Sequence, residues 1–358
     1  MLTLKRAVWA VVVVCAAACV QEQPTREVEG TAEALRKGGF DFEVTLRETG
    51  SALIHATVYR NTRSVFGETI LAVPGLAETA GMFEPLAAAI FRDPTFRHRV
   101  ARLVAIDLPG RGQSDFPVDL PDAARFGDLR IEDNVAVVLQ AVDALRARWI
   151  PPRTLIGHSM GGLSVAAAQQ ALLDQGSSLA EHGVRRAVLL APVPPHGRPW
   201  TQPPPSDVSG AIVEDDELGT YVALPTESWL AGLFGTPAGE LAPGAPSDDE
   251  VIANGYIAPE PLTTFLQLTE VPIEVPGDGT ITIPRPSVSA GAFTAQRGTL
   301  LKLVAFGQDV LSPASDLADL YAYLSGDDDG SGYRLADTPD AVHGMFFSNP
   351  DGVLEAAE

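Results

Sequence analysis

Residues 154–165 read TLIGHSMGGLSV, a short apolar run, a serine between glycines, and then the start of an alanine-rich stretch that continues as AAAQQALL. Gly157-His158-Ser159-Met160-Gly161 fits the pattern G-x-S-x-G. The reason for the pattern is steric. A chain that turns from strand to helix within one residue forces the serine into a strained backbone conformation. Side chains two positions either side would then collide, so Gly157 and Gly161 carry none. Such strain costs about 1–3 kcal/mol and survives only where the surrounding fold imposes it. Gly162 allows the following helix to lie close on the sheet. The pentapeptide also occurs by chance. It is the setting, strand then turn then helix, that makes Ser159 a candidate nucleophile.

The flanking sequence supplies that setting. Short apolar runs alternate with longer helical stretches: ETILAV before FEPLAAAIF, RVARLVAID before a helix over 130–149, RTLIG before MGGLSVAAAQQALL, then VRRAVLLA and, late in the chain, LKLVAFG. On the helix over 130–149, Ile131, Val135, Val138, Val142, Leu145 and Trp149 recur at steps of three and four and share one face. Strands alternating with helices imply a parallel sheet covered on both sides. Ahead of this pattern, two alternating runs, Phe40–Leu46 and Ala52–Tyr59, flank a Glu-Thr-Gly-Ser turn and read as an antiparallel hairpin.

The alternation breaks between the strand ending near Ala191 and the strand beginning near Leu301. Residues 201–300 hold thirteen of the 29 prolines and fourteen acids against two arginines, a net charge of −12. A stretch this long is not a loop. PTESWLAGLFG and PEPLTTFLQL read as short helices, and VPIEVPGDGTITIP as a hairpin about Pro-Gly-Asp-Gly. Trp229, Leu230, Leu233, Phe234 and Phe265 give the tract apolar groups to bury, so it reads as an inserted cap.

Charge and cysteine usage bound the function. The formal net charge of −21 over 358 residues excludes a phosphate-binding surface as the main business of the protein, because nucleic-acid binders carry a basic footprint. The first residues, MLTLKRAVWAVVVVCAAACV, combine Lys5 and Arg6 with a short apolar run and small residues before Cys19, as in a secretory signal. The apolar run is shorter than the roughly 20 residues a membrane-spanning helix needs. Ala16-Ala17-Ala18 before Cys19 resembles a bacterial lipobox, in which the cysteine becomes the lipidated first residue. Export to the cell envelope as a lipoprotein, or otherwise to the periplasm or medium, is expected. Both cysteines, Cys15 and Cys19, fall in or at the edge of this leader, so the body has no disulfide to depend on. The expected organisation is a signal peptide at 1–18, a polar tether at 19–38, a core at 39–195, a cap at 196–298 and the rest of the core at 299–358.

With GHSMGG, AVPGLAETAGMF, DLPGRGQSD, FGQDVLSP and AVHGMFF in this order, the chain resembles the α/β-hydrolases of the lipase, esterase and peroxidase-like branch. The resemblance covers most of residues 40–358 apart from the cap. It implies an eight-stranded, mostly parallel sheet flanked by helices, with the cap inserted between strands 6 and 7, and a Ser–acid–His triad. On that reading Ser159 is the nucleophile. His343, in the loop after the GYRLA strand candidate, stands where the family's catalytic histidine sits. Asp309 is the first acid after the strand ending at Gly307, and Asp316 reads instead as a helix-start charge. Of the two oxyanion donors, one is the backbone N–H of Met160. The other falls by position to Leu76, in a loop reading Pro74-Gly75-Leu76 where the family usually has His-Gly. Glu78 and Phe83, further along that loop, read as structural residues beside the pocket. His55, His98, His182 and His196 read as solvated or packing residues, and the side chain of His158 is expected to point away from Ser159.

The resulting expectation is a cofactor-free and metal-free serine hydrolase that acts on a small ester-like molecule through an acyl-enzyme, with membrane attachment through a lipidated Cys19. Lactone, amide, thioester and carbon–carbon hydrolysis and perhydrolysis use the same core and stay open. So does a non-catalytic binding role on the same scaffold, and the oligomeric state is not read from the sequence. Substrate choice belongs to the cap.

Overall fold

A computed structural model describes residues 35–64, 66–201, 211–270, 272–275, 279–326 and 330–357. The leader read at 1–18, Cys19 and most of the stretch read as a tether lie outside the described residues. In chain order the first part of the fold comprises β1 (Leu35–Leu46), β2 (Gly50–Asn61), β3 (Glu68–Val73), α1 (Glu84–Arg92), β4 (Val100–Ile106), α2 (Ile131–Ala147), β5 (Pro152–His158), α3 (Met160–Asp174) and β6 (Arg186–Leu190). The insertion adds β7 (Ile212–Asp215), β8 (Gly219–Val222), α4 (Thr226–Phe234), α5 (Asp248–Asn254), β9 (Glu260–Pro261), α6 (Leu262–Thr269), β10 (Ile273–Val275) and β11 (Gly279–Ile281). The chain then returns with β12 (Leu300–Phe306), α7 (Ala314–Ser325), β13 (Tyr333–Ala336), α8 (Met345–Ser348) and α9 (Pro350–Ala357).

Eight strands form one sheet in the order β1-β2-β4-β3-β5-β6-β12-β13. β1 pairs antiparallel with β2 and β2 antiparallel with β4, and every later pairing is parallel. β3 and β5 bury nearly every successive residue, the pattern of strands covered on both faces. α2 and α3 pack on each other and on β5, while α1, α8 and α9 form a second packed group. The expected hairpin is present, with Leu46 opposite Gly50. β1 begins at Leu35, so the last residues of the stretch read as tether are already strand, tied down by pairing with Tyr59, Arg60 and Asn61.

α2 ends at Ala147, and this corrects the sequence reading of Trp149 as part of its buried face. Trp149 adopts a left-handed backbone, φ 62°, and is 91% exposed. Its N–H donates to the Arg146 carbonyl and that of Ile150 to the Leu145 carbonyl, both at 3.0 Å. This is a Schellman ending, in which glycine usually takes the left-handed position.

The insertion between β6 and β12 is built as a cap. β7, β8 and β9 make a small antiparallel sheet and β10 pairs with β11 as a hairpin. Trp229, Leu230, Leu233 and Phe234 of α4 join the main core, and Val222 and Phe265 form a small core of their own. Gln267 fixes the cap to the body: its Oε1 accepts the Ile131 N–H at the start of α2, at 2.8 Å.

Candidate active site

The parallel strands deliver their carboxyl-terminal loops to one end of the sheet, and the candidate residues meet there. Ser159 follows the last residue of β5 and precedes the first of α3, with φ 51° and ψ −119°. This backbone is strained for a residue with a side chain. A Cβ on Gly157 would collide with the Gly161 carbonyl, and one on Gly161 with the Val73 and Pro74 carbonyls. Close approach of the backbone, rather than a left-handed conformation, therefore requires both glycines.

Asp309 follows β12 and His343 follows β13. His343 Nδ1 lies 2.7 Å from Asp309 Oδ2, and both side chains are buried. The other carboxylate oxygen, Oδ1, accepts the N–H groups of Leu311 at 2.7 Å and Ser312 at 2.9 Å. These bonds hold the carboxylate independently of the imidazole. A carboxylate at Nδ1 also fixes the ring's orientation and leaves Nε2 as the proton acceptor. Burial disfavours the imidazolium, but the charge and hydrogen bond of Asp309, with a smaller contribution from Glu78, outweigh it and raise His343 above the ordinary imidazole range. Asp316 lies apart, in the first turn of α7, where its Oδ2 accepts from the N–H and hydroxyl of Thr201.

Met160 opens α3, and the first amide of a helix has no carbonyl a turn earlier to bond to. Among the described residues the Leu76 N–H donates no hydrogen bond either. Leu76 and Ser159 line a cavity of about 350 Å³ with His343, whose walls include Val193, Trp200, Leu224, Trp229 and Phe265. Most of that wall comes from the cap. No lysine or arginine belongs to the lining among the described residues.

The underside of the site holds contacts that sequence reasoning missed. Glu78 is fully buried, and its Oε2 accepts the Gly75 N–H at 2.6 Å. Its Oε1 lies 2.8 Å from His158 Nδ1. His158 Nε2 lies 2.9 Å from the His343 carbonyl oxygen, which only accepts, so Nε2 carries a hydrogen. The His158 ring packs on Phe346 and His343, with centroids 4.4 and 4.7 Å apart. The residue beside the serine thus ties three loops together from behind. A second set of contacts comes from the cap. Glu260 pairs with the fully buried Arg111 and accepts the Ala77 N–H at 2.9 Å. Ala258 donates to the Ala77 carbonyl at 3.0 Å, and the Thr79 hydroxyl to the Gly255 carbonyl at 2.9 Å. Cap residues 255–260 therefore run beside the loop that carries Leu76. Nothing local in PGLAET or in APEPL signals this, because the partners are far apart in the chain. DLPGRGQSD, with Arg111, was legible only as architecture.

The remaining histidines have partners elsewhere: His55 with Asp41, His182 near Asp143, His196 with Glu270, and His98 beside Arg97.

Comparison with known proteins agrees with this architecture. A family model described as alpha/beta hydrolase fold matches residues 68–235. Among solved structures, the N-acyl homoserine lactonase AidH, as its E219G mutant complexed with N-hexanoyl homoserine, superposes with a TM-score of 0.53 at 14% identity, covering 88% of this chain and 94% of that one. A pyrethroid hydrolase from Sphingobium faniae JZ-2 aligns at 18% identity with a TM-score of 0.45, covering 81% of this chain and 95% of that one. No curated protein matches the chain. At these identities the likeness is one of fold: the chain has the α/β-hydrolase fold.

Proposed function

We propose that this protein is a serine hydrolase that cleaves neutral, largely apolar carboxylic esters through an acyl-enzyme, and that it is exported and lipid-anchored through Cys19. The observation that carries the catalytic reading is the buried His343–Asp309 pair opening on the same apolar cavity as the strained Ser159. In the first half-reaction His343 Nε2 takes the proton of Ser159 as its oxygen attacks the ester carbonyl. Asp309 stabilises the imidazolium that forms. The negative charge on the carbonyl oxygen meets the N–H groups of Met160 and Leu76, which need no reorganisation to receive it. His343 then passes the proton to the departing alcohol. In the second half-reaction it activates water, which releases the acid and restores Ser159.

The cavity supports the substrate class. Its volume lies at the lower end of the range for small-molecule sites, and a wall with no lysine or arginine among the described residues offers a free carboxylate no partner there. Lactone or amide cleavage uses the same groups, so the acyl and leaving groups are read from turnover. Two measurements test the proposal. A fluorophosphonate should label Ser159 covalently, and a panel of esters of graded acyl length, with a lactone and an amide included, should show the highest kcat/KM for an uncharged ester. No labelling and no turnover would mean that the scaffold binds without catalysing.

A further inference from the structure

The end of the sheet opposite the cavity gathers arginines. Arg36 on β1 stands opposite Arg60 on β2, and Arg60 opposite Arg102 on β4. Cross-strand partners share a face, so three arginines follow one another across the sheet. Arg102 registers the crowding: burial first, then the nearby charge of Arg60, lowers its pKa. Further along the same end, Arg102, Arg153, Arg185 and Arg186 line one depression together with Phe66 and Trp149. The acid in that lining is Glu68, which Arg186 already engages through both carboxylate oxygens at 2.7 and 2.6 Å. Among the described residues the side chains of Arg102, Arg153 and Arg185 form no ion pair.

The aromatic groups identify the partner. Phe66 and Trp149 are almost wholly exposed. Trp149 holds a left-handed helix-ending position that glycine would occupy without strain, so its indole faces solvent at a conformational cost. Exposed aromatic rings among arginines match the interface of an anionic bilayer, where rings sit at headgroup level and basic groups meet lipid phosphates. The chain also enters the fold at this end: Leu35 and Arg36 pair with Asn61 and Arg60. β5 runs from Pro152 at this end to His158 at the site, about 20 Å at the usual rise of a strand.

We infer that the arginine-rich end of the sheet, with Trp149 and Phe66, docks on the surface of a membrane rich in anionic lipid and turns the cavity away from it. This inference does not depend on the hydrolase reading.

The test uses the chain from residue 20 onward, so that neither a covalent lipid nor the apolar leader contributes. Co-sedimentation is measured with vesicles of phosphatidylcholine alone and of phosphatidylcholine mixed equally with phosphatidylglycerol. Without Lys5 and Arg6 the net charge is −23, and such a protein should be repelled by the mixed vesicles unless a local surface attracts them. The expected result is binding to the mixed vesicles only, weakened by salt. Each basic group near such a surface contributes roughly fivefold, so Arg153→Gln with Arg185→Gln should weaken binding about 25-fold. Trp149→Gly, which suits the left-handed position and leaves the fold intact, should weaken it severalfold and abolish any fluorescence shift from that indole. Ester hydrolysis in solution should stay unchanged in these variants. Equal binding to both vesicle types, or binding that these substitutions leave intact, would overturn the proposal. So would tighter binding to duplex DNA that ignores Trp149→Gly, or salt-sensitive self-association in which this end meets the acidic cap of another copy.

Discussion

At the carboxyl ends of β3, β5, β12 and β13 the ionisable side chains are buried and matched: Glu78 with His158, Glu260 with Arg111, Asp309 with His343. At the amino ends of β4, β5 and β6 arginines line the depression, and among the described residues Arg186 alone of them has a carboxylate partner. The same residue types serve different purposes at the two ends. Burial makes charge expensive, so a charge that remains must be paired, and pairing fixes geometry. Exposure makes charge inexpensive and leaves it available to a partner. The first arrangement suits a site where atoms must be held within a fraction of an ångström, and the second suits a broad surface.

Removing groups from the buried end should give the largest effects. Ser159→Ala should lower kcat by roughly 10⁴–10⁶, and His343→Ala should be about as severe. Combining the two should add little, because they act as one unit; full turnover by Ser159→Ala would end the mechanism. Asp309→Asn should cost about 10³–10⁴ in kcat by favouring the wrong imidazole tautomer. Asp316→Asn, in the first turn of α7, should leave kcat nearly unchanged, and the reverse ranking would reassign the acid. Glu260→Ala strands the Arg111 guanidinium in the interior and should destabilise the fold by about 3–5 kcal/mol, read as a lowered Tm. Glu260→Ala should also lower kcat more than it raises KM, since Ala77 loses its acceptor beside the oxyanion loop. Wild-type stability in Glu260→Ala would show the cap to be joined loosely.

Smaller effects probe the electrostatics. On the proposed mechanism His343 must be neutral to accept the serine proton, and the charge of Asp309 raises its pKa against the effect of burial. Activity should therefore fall as the pH drops through a midpoint above about 6.5, the ordinary imidazole value, losing about tenfold per pH unit below it. A midpoint below the ordinary value in a kcat/KM profile would mean that burial outweighs the carboxylate. The smallest expected effect concerns the cap, whose surrounding stretch 201–300 carries a net −12. An ester bearing a free carboxylate should react a few-fold more slowly than its neutral analogue at low salt, with the gap closing as salt rises. A preference for the anionic ester would contradict this.

Elements were most legible where the residue pattern is local. The first hairpin, the strand-turn-helix around Ser159, the short helices of the cap and the pairing of β10 with β11 all follow from periodicity and turn chemistry, while Pro276, Gly277 and Asp278 of the expected turn lie outside the described residues. Trp149 misled because helical spacing continues on paper past the point where the chain turns left-handed, and a tryptophan in a position suited to glycine gives no stop signal. Total charge is a different kind of signal. The net −21 is real, but a sum carries no positions, and the acids and arginines separate only when the strands are laid side by side.

What the sequence determined by itself is whatever depends on near neighbours or on order along the chain. Ser159 between its glycines belongs to this class, as do the alternation that makes the sheet parallel and the positions of Asp309 and His343 after successive strands. Tertiary structure alone decided which distant groups share a buried space. Glu78 meets His158, Glu260 meets Arg111 and the Ala77 amide, and Arg36, Arg60 and Arg102 line up across three strands. The reason is physical. A strand or turn is selected by interactions over a few residues, whereas a buried pair or a charged face exists only once sheet registry and cap docking have fixed separations that the linear order does not contain.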